Sequence, residues 1–295
     1  AGIRGFAIPH VMDIQYEPED VFLVRGGFKP WYPFLTELFK KRENWILFYR
    51  ANTDRGRWPF WDVTLDDLSA RAYVAGDSLR IAFKKPTSPL VFSYKNTNSR
   101  KFDVCVGASH IHDRKGQWRV VKAASLLRSK KIELKLIMPG RSIGGFQTLE
   151  MFRQIEREKL DIVMPGMVPR FEVANILNKT KLFVNMGSGQ NDRGVLEAMC
   201  CGAPVMVAQP RYFSSFVQQC PTTSVCRDSD NIELLAEDIA AAVHSYTAEK
   251  SEETVAWHER HCGMRVVLDQ MRFLFQILRR SPMPSRPYVI KEWGL

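Results

Sequence analysis

No stretch of the 295 residues reaches the roughly 20 uninterrupted apolar positions that a membrane-spanning helix requires. The N-terminus, Ala1-Gly-Ile-Arg-Gly-Phe6, lacks the long apolar run of a secretory signal, and its first residue is not Met, which suggests a processed or trimmed start. Cysteine is sparse: Cys105, Cys200, Cys201, Cys220, Cys226 and Cys262 contain no CxxC pair, and Cys200–Cys201 fall within an apolar helical segment. Buried thiols in a reducing compartment are therefore expected, which points to a cytoplasmic protein with no transmembrane segment. No GxGxxG follows a strand-like run, which argues against an enzyme of the nicotinamide-dinucleotide type. RNP, zinc-finger and basic-zipper patterns are missing too.

Positive charge is plentiful. Lys and Arg number 42 against 32 Asp and Glu, a formal net charge of +10. The excess is spread along the chain, with local runs at 40–42 and 128–131. It attracts anions (nucleotide phosphates, an anionic membrane face, nucleic acid) without choosing among them. With 45% hydrophobic and 25% charged residues, the chain suits two α/β domains of ordinary size, each able to bury a core.

From Lys101 onward, short apolar runs alternate with helical periodicity. Strands are expected over 102–107, 133–138, 161–164, 181–186 and 203–208, and helices over 117–128, 149–157, 170–178, 194–201 and 212–219. Gly-rich breaks close the strands: Gly107, Pro139-Gly140, Pro165-Gly166 and Gly187-Ser-Gly189. This is the pattern of a doubly wound parallel sheet, which binds ligands at the carboxyl ends of its strands. Before Lys101 one βαβ unit is legible, with strands over 20–24 and 44–49 around a helix over 34–41; residues 50–67 show no clear period. The Pro-containing, polar segment 87–100 reads as a hinge, and from Glu233 the chain is amphipathic helix. The expected division is an N-terminal domain over 1–97, a C-terminal domain over 98–275, and a tail over 276–295.

The strongest chemical signal runs from Gly189 to Val205, Gly-Gln-Asn-Asp-Arg-Gly-Val-Leu-Glu-Ala-Met-Cys-Cys-Gly-Ala-Pro-Val. A Gly-rich loop at a strand's carboxyl end, running into a helix N-terminus, offers backbone N–H groups and a helix dipole to a phosphate. Glu197, early in that helix, is placed to accept from ribose hydroxyls. An ordinary βαβ junction carrying a surface Glu fits the same pattern on physics alone.

Leu196 to Val205, Leu-Glu-Ala-Met-Cys-Cys-Gly-Ala-Pro-Val, closely resembles the donor-site motif of GT-B glycosyltransferases of the family 4 type. The resemblance covers about 102–240 and implies a compact GT-B fold: α/β, two Rossmann-like domains facing a cleft, with a reduced N-terminal domain. By that match Glu197 holds the donor ribose, and the backbone of Gly194, Val195 and Leu196, next to Arg193, holds the distal phosphate. Asp113-Arg-Lys-Gly116 after Val106-Gly107 resembles the family's Arg-Lys-Gly loop, which makes Lys115 and Arg114 the groups that neutralise the leaving diphosphate. Pro165-Gly-Met167-Val168 resembles the turn whose backbone meets the nucleobase, and Arg25-Gly26-Gly27 the glycine loop against the donor phosphates. The family's first motif Glu falls at Gly189, beside Gln190, and its Arg after the strand's Gly falls at Ala108.

The resemblance implies transfer of a sugar from a nucleotide diphosphate sugar to an acceptor hydroxyl, with retention and without a metal or other cofactor. The acceptor is a glycan, a lipid-linked sugar or a hydroxylated DNA base. A DNA-modifying glycosyltransferase and a non-catalytic sugar-nucleotide-binding subunit are the alternatives, the second suggested by Gly189 and Ala108. His110 and His112 flank the Lys115 loop as phosphate contacts or, preferably, as solvent-facing residues. His258 and His261, one helical turn apart, read as a plain helix face rather than a metal pair. His10 and Asp54 are the candidate general bases, and Trp58, Phe60 and Trp61 read as core or as a stacking surface.

Overall fold

The computed structural model describes residues 20–25, 45–49, 63–67, 79–83, 87–96, 100–107, 110–187, 193–208 and 217–280. The chain divides into two units, one built from 1–83 and 269–295, the other from 84–268.

In the first unit, four parallel strands lie side by side in chain order: β1 (Val21–Arg25), β2 (Trp45–Tyr49), β3 (Val63–Asp67) and β4 (Leu79–Phe83). The sequence pattern predicts the first two. It misses β3 and β4, because the neighbouring aromatic and charged residues blur the alternation that marks a strand. The helix expected over 34–41, the aromatic group Trp58, Phe60 and Trp61, and the tail from 281 lie outside the described residues.

The second unit holds β5 (Phe102–Val106), β6 (His110–Ile111), β7 (Leu136–Ile137), β8 (Arg141–Ser142), β9 (Ile162–Val163), β10 (Thr180–Asn185), β11 (Val205–Val207) and β12 (Ser224–Val225). Its helices are α1 (Gln117–Ser129), α2 (Phe146–Glu158), α3 (Arg170–Asn178), α4 (Arg193–Cys200), α5 (Ile232–His244) and α6 (Ala248–Cys262). A further helix, α7 (Met264–Arg280), runs across the boundary between the units. Six strands form one parallel sheet in the order β12-β11-β10-β5-β7-β9. In chain order this is the 3-2-1-4-5-6 arrangement of a doubly wound fold, and its direction reverses between β5 and β10. The expected strands over 133–138 and 161–164 shorten to β7 and β9, and β6 pairs with β8 in a separate two-stranded ribbon.

The period of two along the strands sorts the core onto both sheet faces. Cys105, Ile137, Phe183, Val205 and Val207 pack with α3, α4 and Trp257 of α6. Val104, Val106, Leu136, Leu182, Val184 and Met206 pack with residues of α1, α2 and α5 on the other face. Each such side chain contributes about 1.5–3 kcal/mol on burial. Residues 87–96, expected as a hinge, pack into this unit: Phe92 is fully buried, and Asn178 donates from Nδ2 to the Ser93 carbonyl at 2.9 Å while its Oδ1 accepts the Lys95 N–H at 2.7 Å. Asn231 and Thr247 cap α5 and α6, their side chains accepting from Leu234 N–H and Lys250 N–H. Among the described residues, no helix is long and apolar enough to cross a membrane.

Candidate active site

The site is built where β5 and β10 leave the sheet side by side. Beyond β5 the chain passes Gly107, whose N–H donates to the Val184 carbonyl at 3.2 Å, and then makes a short 3-10 turn, Asp113–Lys115, that runs into α1. Gly116 joins turn to helix at φ 69°, and a Cβ there would lie 2.6 Å from the Met186 carbonyl oxygen. Only glycine meets both demands. The turn is thereby seated against the exit of β10, and the side chain of Lys115 lies beside Gly187.

Asp113 pins the other side of the turn. Its Oδ1 accepts from Thr148 N–H and Thr148 Oγ1, both at 2.8 Å, and its Oδ2 from Gln147 N–H at 3.3 Å, so it caps α2 from outside that helix. Gly145, at φ 123°, leaves the space this carboxylate fills; a Cβ would come within 2.5 Å of it. Burial alone would raise the Asp113 carboxyl pKa, but the bonds from Thr148 and Gln147 outweigh it and hold the group below its ordinary value. Arg114, an exposed residue, donates its backbone N–H to His112 Nδ1 at 3.1 Å. Burial, and then the charges of Lys115 and Arg114, lower the pKa of His112, the direction that suits its Nδ1 to accept from Arg114.

Across the switch point, α4 carries Glu197. Gly194, Val195, Leu196, Glu197, Ala198 and Met199 are all buried, and Arg193 is half-buried at the helix start. Glu197 is only 6% exposed, and its Oε1 accepts from Arg170 Nη2 at 2.6 Å. Arg170 opens α3 just after the Gly166–Val168 turn, where Met167 is 75% exposed. The N–H of Gly140 donates to the Gly166 carbonyl at 2.8 Å, which ties the loop after β7 to the loop after β9.

The fold thus brings Arg114, Lys115, Gly107, Met167, Arg193, Gly194, Val195, Leu196 and Glu197 to the carboxyl ends of one sheet. Gly26, Gly27, Gly189 and Gln190, with Ala108, His10 and Asp54, lie outside the described residues. His258 is buried in α6, while His261 stacks its ring on Trp257 at 4.8 Å between centroids.

Several features are not legible in the sequence. Neither Arg170 as the partner of Glu197 nor Asp113 as the cap of α2 belongs to a local motif. Gln117 Oε1 and Asn185 Nδ2 are buried at this edge with no hydrogen-bond partner among the described residues, a capacity that a polar ligand can satisfy. Legible in the sequence, by contrast, is an Asp-x-Asp pair, Asp228–Asp230, after β12, so the lack of such a pair is no argument for a metal-free reaction. Asp228–Asp230 forms a turn in which Asp228 Oδ1 accepts from Asp230 N–H at 2.9 Å and Asp230 pairs with Arg119 at 2.7 Å.

Residues 93–257 match the family described as "Glycosyl transferases group 1". No curated protein sequence matches the chain. Among solved structures, the chain is similar to a glycosyltransferase from Rickettsia africae, with TM-score 0.67 and 14% identity over 89% of this chain and 78% of that one. It is similar also to HepE from Anabaena, solved with UDP and glucose, with TM-score 0.61 and 14% identity over 85% of this chain and 83% of that one. TarM from S. aureus matches with TM-score 0.63 and 16% identity over 86% of this chain. The chain spans about half of TarM, 54% of its length. At these identities the likeness is one of fold. The fold is GT-B, and with its family match covering more than half of the sequence the chain belongs to the group 1 glycosyltransferases.

Proposed function

We propose that the chain transfers a glycosyl group from a nucleotide diphosphate sugar to an acceptor hydroxyl, with the second unit as the donor-binding domain. The observation that carries this reading is the place of Lys115 beside Gly187, at the exit of β10 and the switch point of a doubly wound sheet, where such folds bind nucleotides. As the bond from sugar to diphosphate breaks, negative charge grows on the pyrophosphate and the sugar takes on oxocarbenium character. Lys115, Arg114 and the N-terminus of α4 meet the growing charge, while Glu197 accepts from the ribose hydroxyls. Fixed cations and a helix terminus supply this stabilisation in a reaction we assign as metal-independent and retaining. UDP is the favoured nucleotide, a choice supported by the UDP in the HepE structure. The six cysteines are all thiols, which supports a reducing, cytoplasmic setting.

Thermal unfolding of the full chain with UDP, GDP, ADP and their sugar conjugates tests the proposal. A donor at a hundred times its Kd adds about 2.7 kcal/mol of stability. Unfolding temperatures that none of these ligands moves would refute it.

A further inference from the structure

Glu197 is a carboxylate sealed into the core side of α4, and a buried negative charge persists only with a partner. One partner comes from a different helix. Arg170 bonds Glu197 Oε1 at 2.6 Å, and its guanidinium carbon sits 5.0 Å from the centroid of the Phe92 ring. Phe92 is itself fully buried, and its carbonyl accepts from Cys200 Sγ at 2.9 Å, which fixes it to the helix that carries Glu197. The burial is lopsided: the carboxylate side chain is 8% exposed and the arginine side chain 56%. The guanidinium is thus stacked on one ring, bonded along one edge, and otherwise open at the carboxyl edge of the sheet. A planar, stacked guanidinium loses little freedom on forming such a bond.

We propose that Arg170 is a positioning residue of the donor site, holding Glu197 ionised and aimed so that it receives the nucleotide's ribose hydroxyls. This rests on the reading of Glu197 as the ribose acceptor. It links the turn at Gly166–Val168, the side assigned to the nucleobase, to the ribose carboxylate through a single side chain. The titratable and charged groups around Glu197 include Arg170 from α3, the Cys200 and Cys201 thiols on or just after α4, and, past Cys200, Glu259 from α6. Both thiols are pushed up by burial, and Arg170 brings a positive charge to the carboxylate. With Arg170 removed, a buried Glu197 takes up a proton more readily and accepts poorly from ribose.

The experiment is calorimetric titration of UDP, and of GDP and ADP if UDP is not bound, into the full chain between pH 5.5 and 8.5. Wild type, Arg170→Gln, Arg170→Lys and Glu197→Gln are compared, with thermal unfolding as the check on folding. Because UDP and histidines titrate in this range, the quantity read is the ratio of variant to wild-type Kd at each pH. Arg170→Gln is expected to weaken binding on the order of tenfold at pH 8, as the loss of a charge-assisted bond does, with the ratio growing as pH falls. Arg170→Lys keeps the charge without the planar stack, so its ratio is smaller and flat with pH. Should Arg170→Gln not fold, Arg170→Lys alone carries the test, and wild-type affinity for it overturns the proposal. Arg170→Gln binding like wild type at every pH, while Glu197→Gln loses binding, overturns the role of Arg170 and leaves the donor site standing. A wild-type chain that binds none of the three nucleotides overturns both.

Discussion

The side chain of Lys115 reaches across the switch point to Gly187: a Cβ built on Gly187 would lie 3.5 Å from Lys115 Cδ and 3.1 Å from Asn185 Oδ1. Alanine fits there with a shift of a few tenths of an ångström, whereas leucine has to displace Lys115. Gly187→Leu is therefore predicted to weaken UDP binding by about 1.5–3 kcal/mol, the value of a hydrogen bond to a charged group. Lys115→Ala should cost a similar amount. Calorimetry on the double variant checks the mechanism: the two losses should not add, because both remove the same contact.

Asp113 holds the Lys115 turn to the start of α2. Asp113→Ala should lower stability by about 0.5–2 kcal/mol, the range for a lost helix cap, and should weaken UDP binding by loosening Lys115. Because the folded Asp113 carboxyl lies below its ordinary value, the unfolded chain binds the extra proton in acid. The stability difference between wild type and Asp113→Ala is thus complete above the ordinary carboxylate range and shrinks as pH falls below it. Urea unfolding at a series of acid pH values reads this directly.

His258 is 2% exposed, neither ring nitrogen has a hydrogen-bond partner among the described residues, and burial pushes its pKa down to about 4. Between about pH 6.5 and 4 the unfolded chain holds a proton on this ring that the folded chain does not, so stability falls as pH falls through that window. The contribution is on the order of 3 kcal/mol. Replacing His258 with Leu should flatten this part of the pH–stability curve; an unchanged acid limb would show that the ring is charged or solvated in the fold.

How legible the second unit was from its residues depends on where the signal lay. Short, mostly apolar runs such as Phe102–Val106 and Thr180–Asn185 mark their strands directly, since a parallel strand is covered on both faces. The helix that carries Glu197 is legible because its apolar residues stand together in sequence. Partners far apart in the chain were not: Arg170 lies 27 positions from Glu197, and Thr148 lies 35 from Asp113. Their side chains meet only because the sheet returns their loops to one edge. In the first unit, β3 and β4 alternate over only five residues each, too short a stretch to stand out beside their aromatic and charged neighbours.

Arg100 shows the same long-range logic in a purely structural role. Its guanidinium donates to the Tyr246 hydroxyl at 3.0 Å, the Leu177 carbonyl at 3.0 Å, and the Gly202 carbonyl and Ser251 Oγ at 3.1 Å each. Arg100→Ala leaves these acceptors without their donor and should cost about 2–4 kcal/mol, with Arg100→Lys recovering only part because a lysine lacks the planar fork. Chemical denaturation of the two variants against wild type gives the numbers.

In the function proposed, the turn of Lys115 and the helix of Glu197 together hold a nucleotide diphosphate. Calorimetric titration of UDP into wild type and into the Lys115→Ala, Glu197→Ala double variant tests it most directly. Measurable binding by wild type is expected, with a loss of at least about a hundredfold in the double variant, two charged contacts being removed. Equal affinity in the two proteins would contradict it.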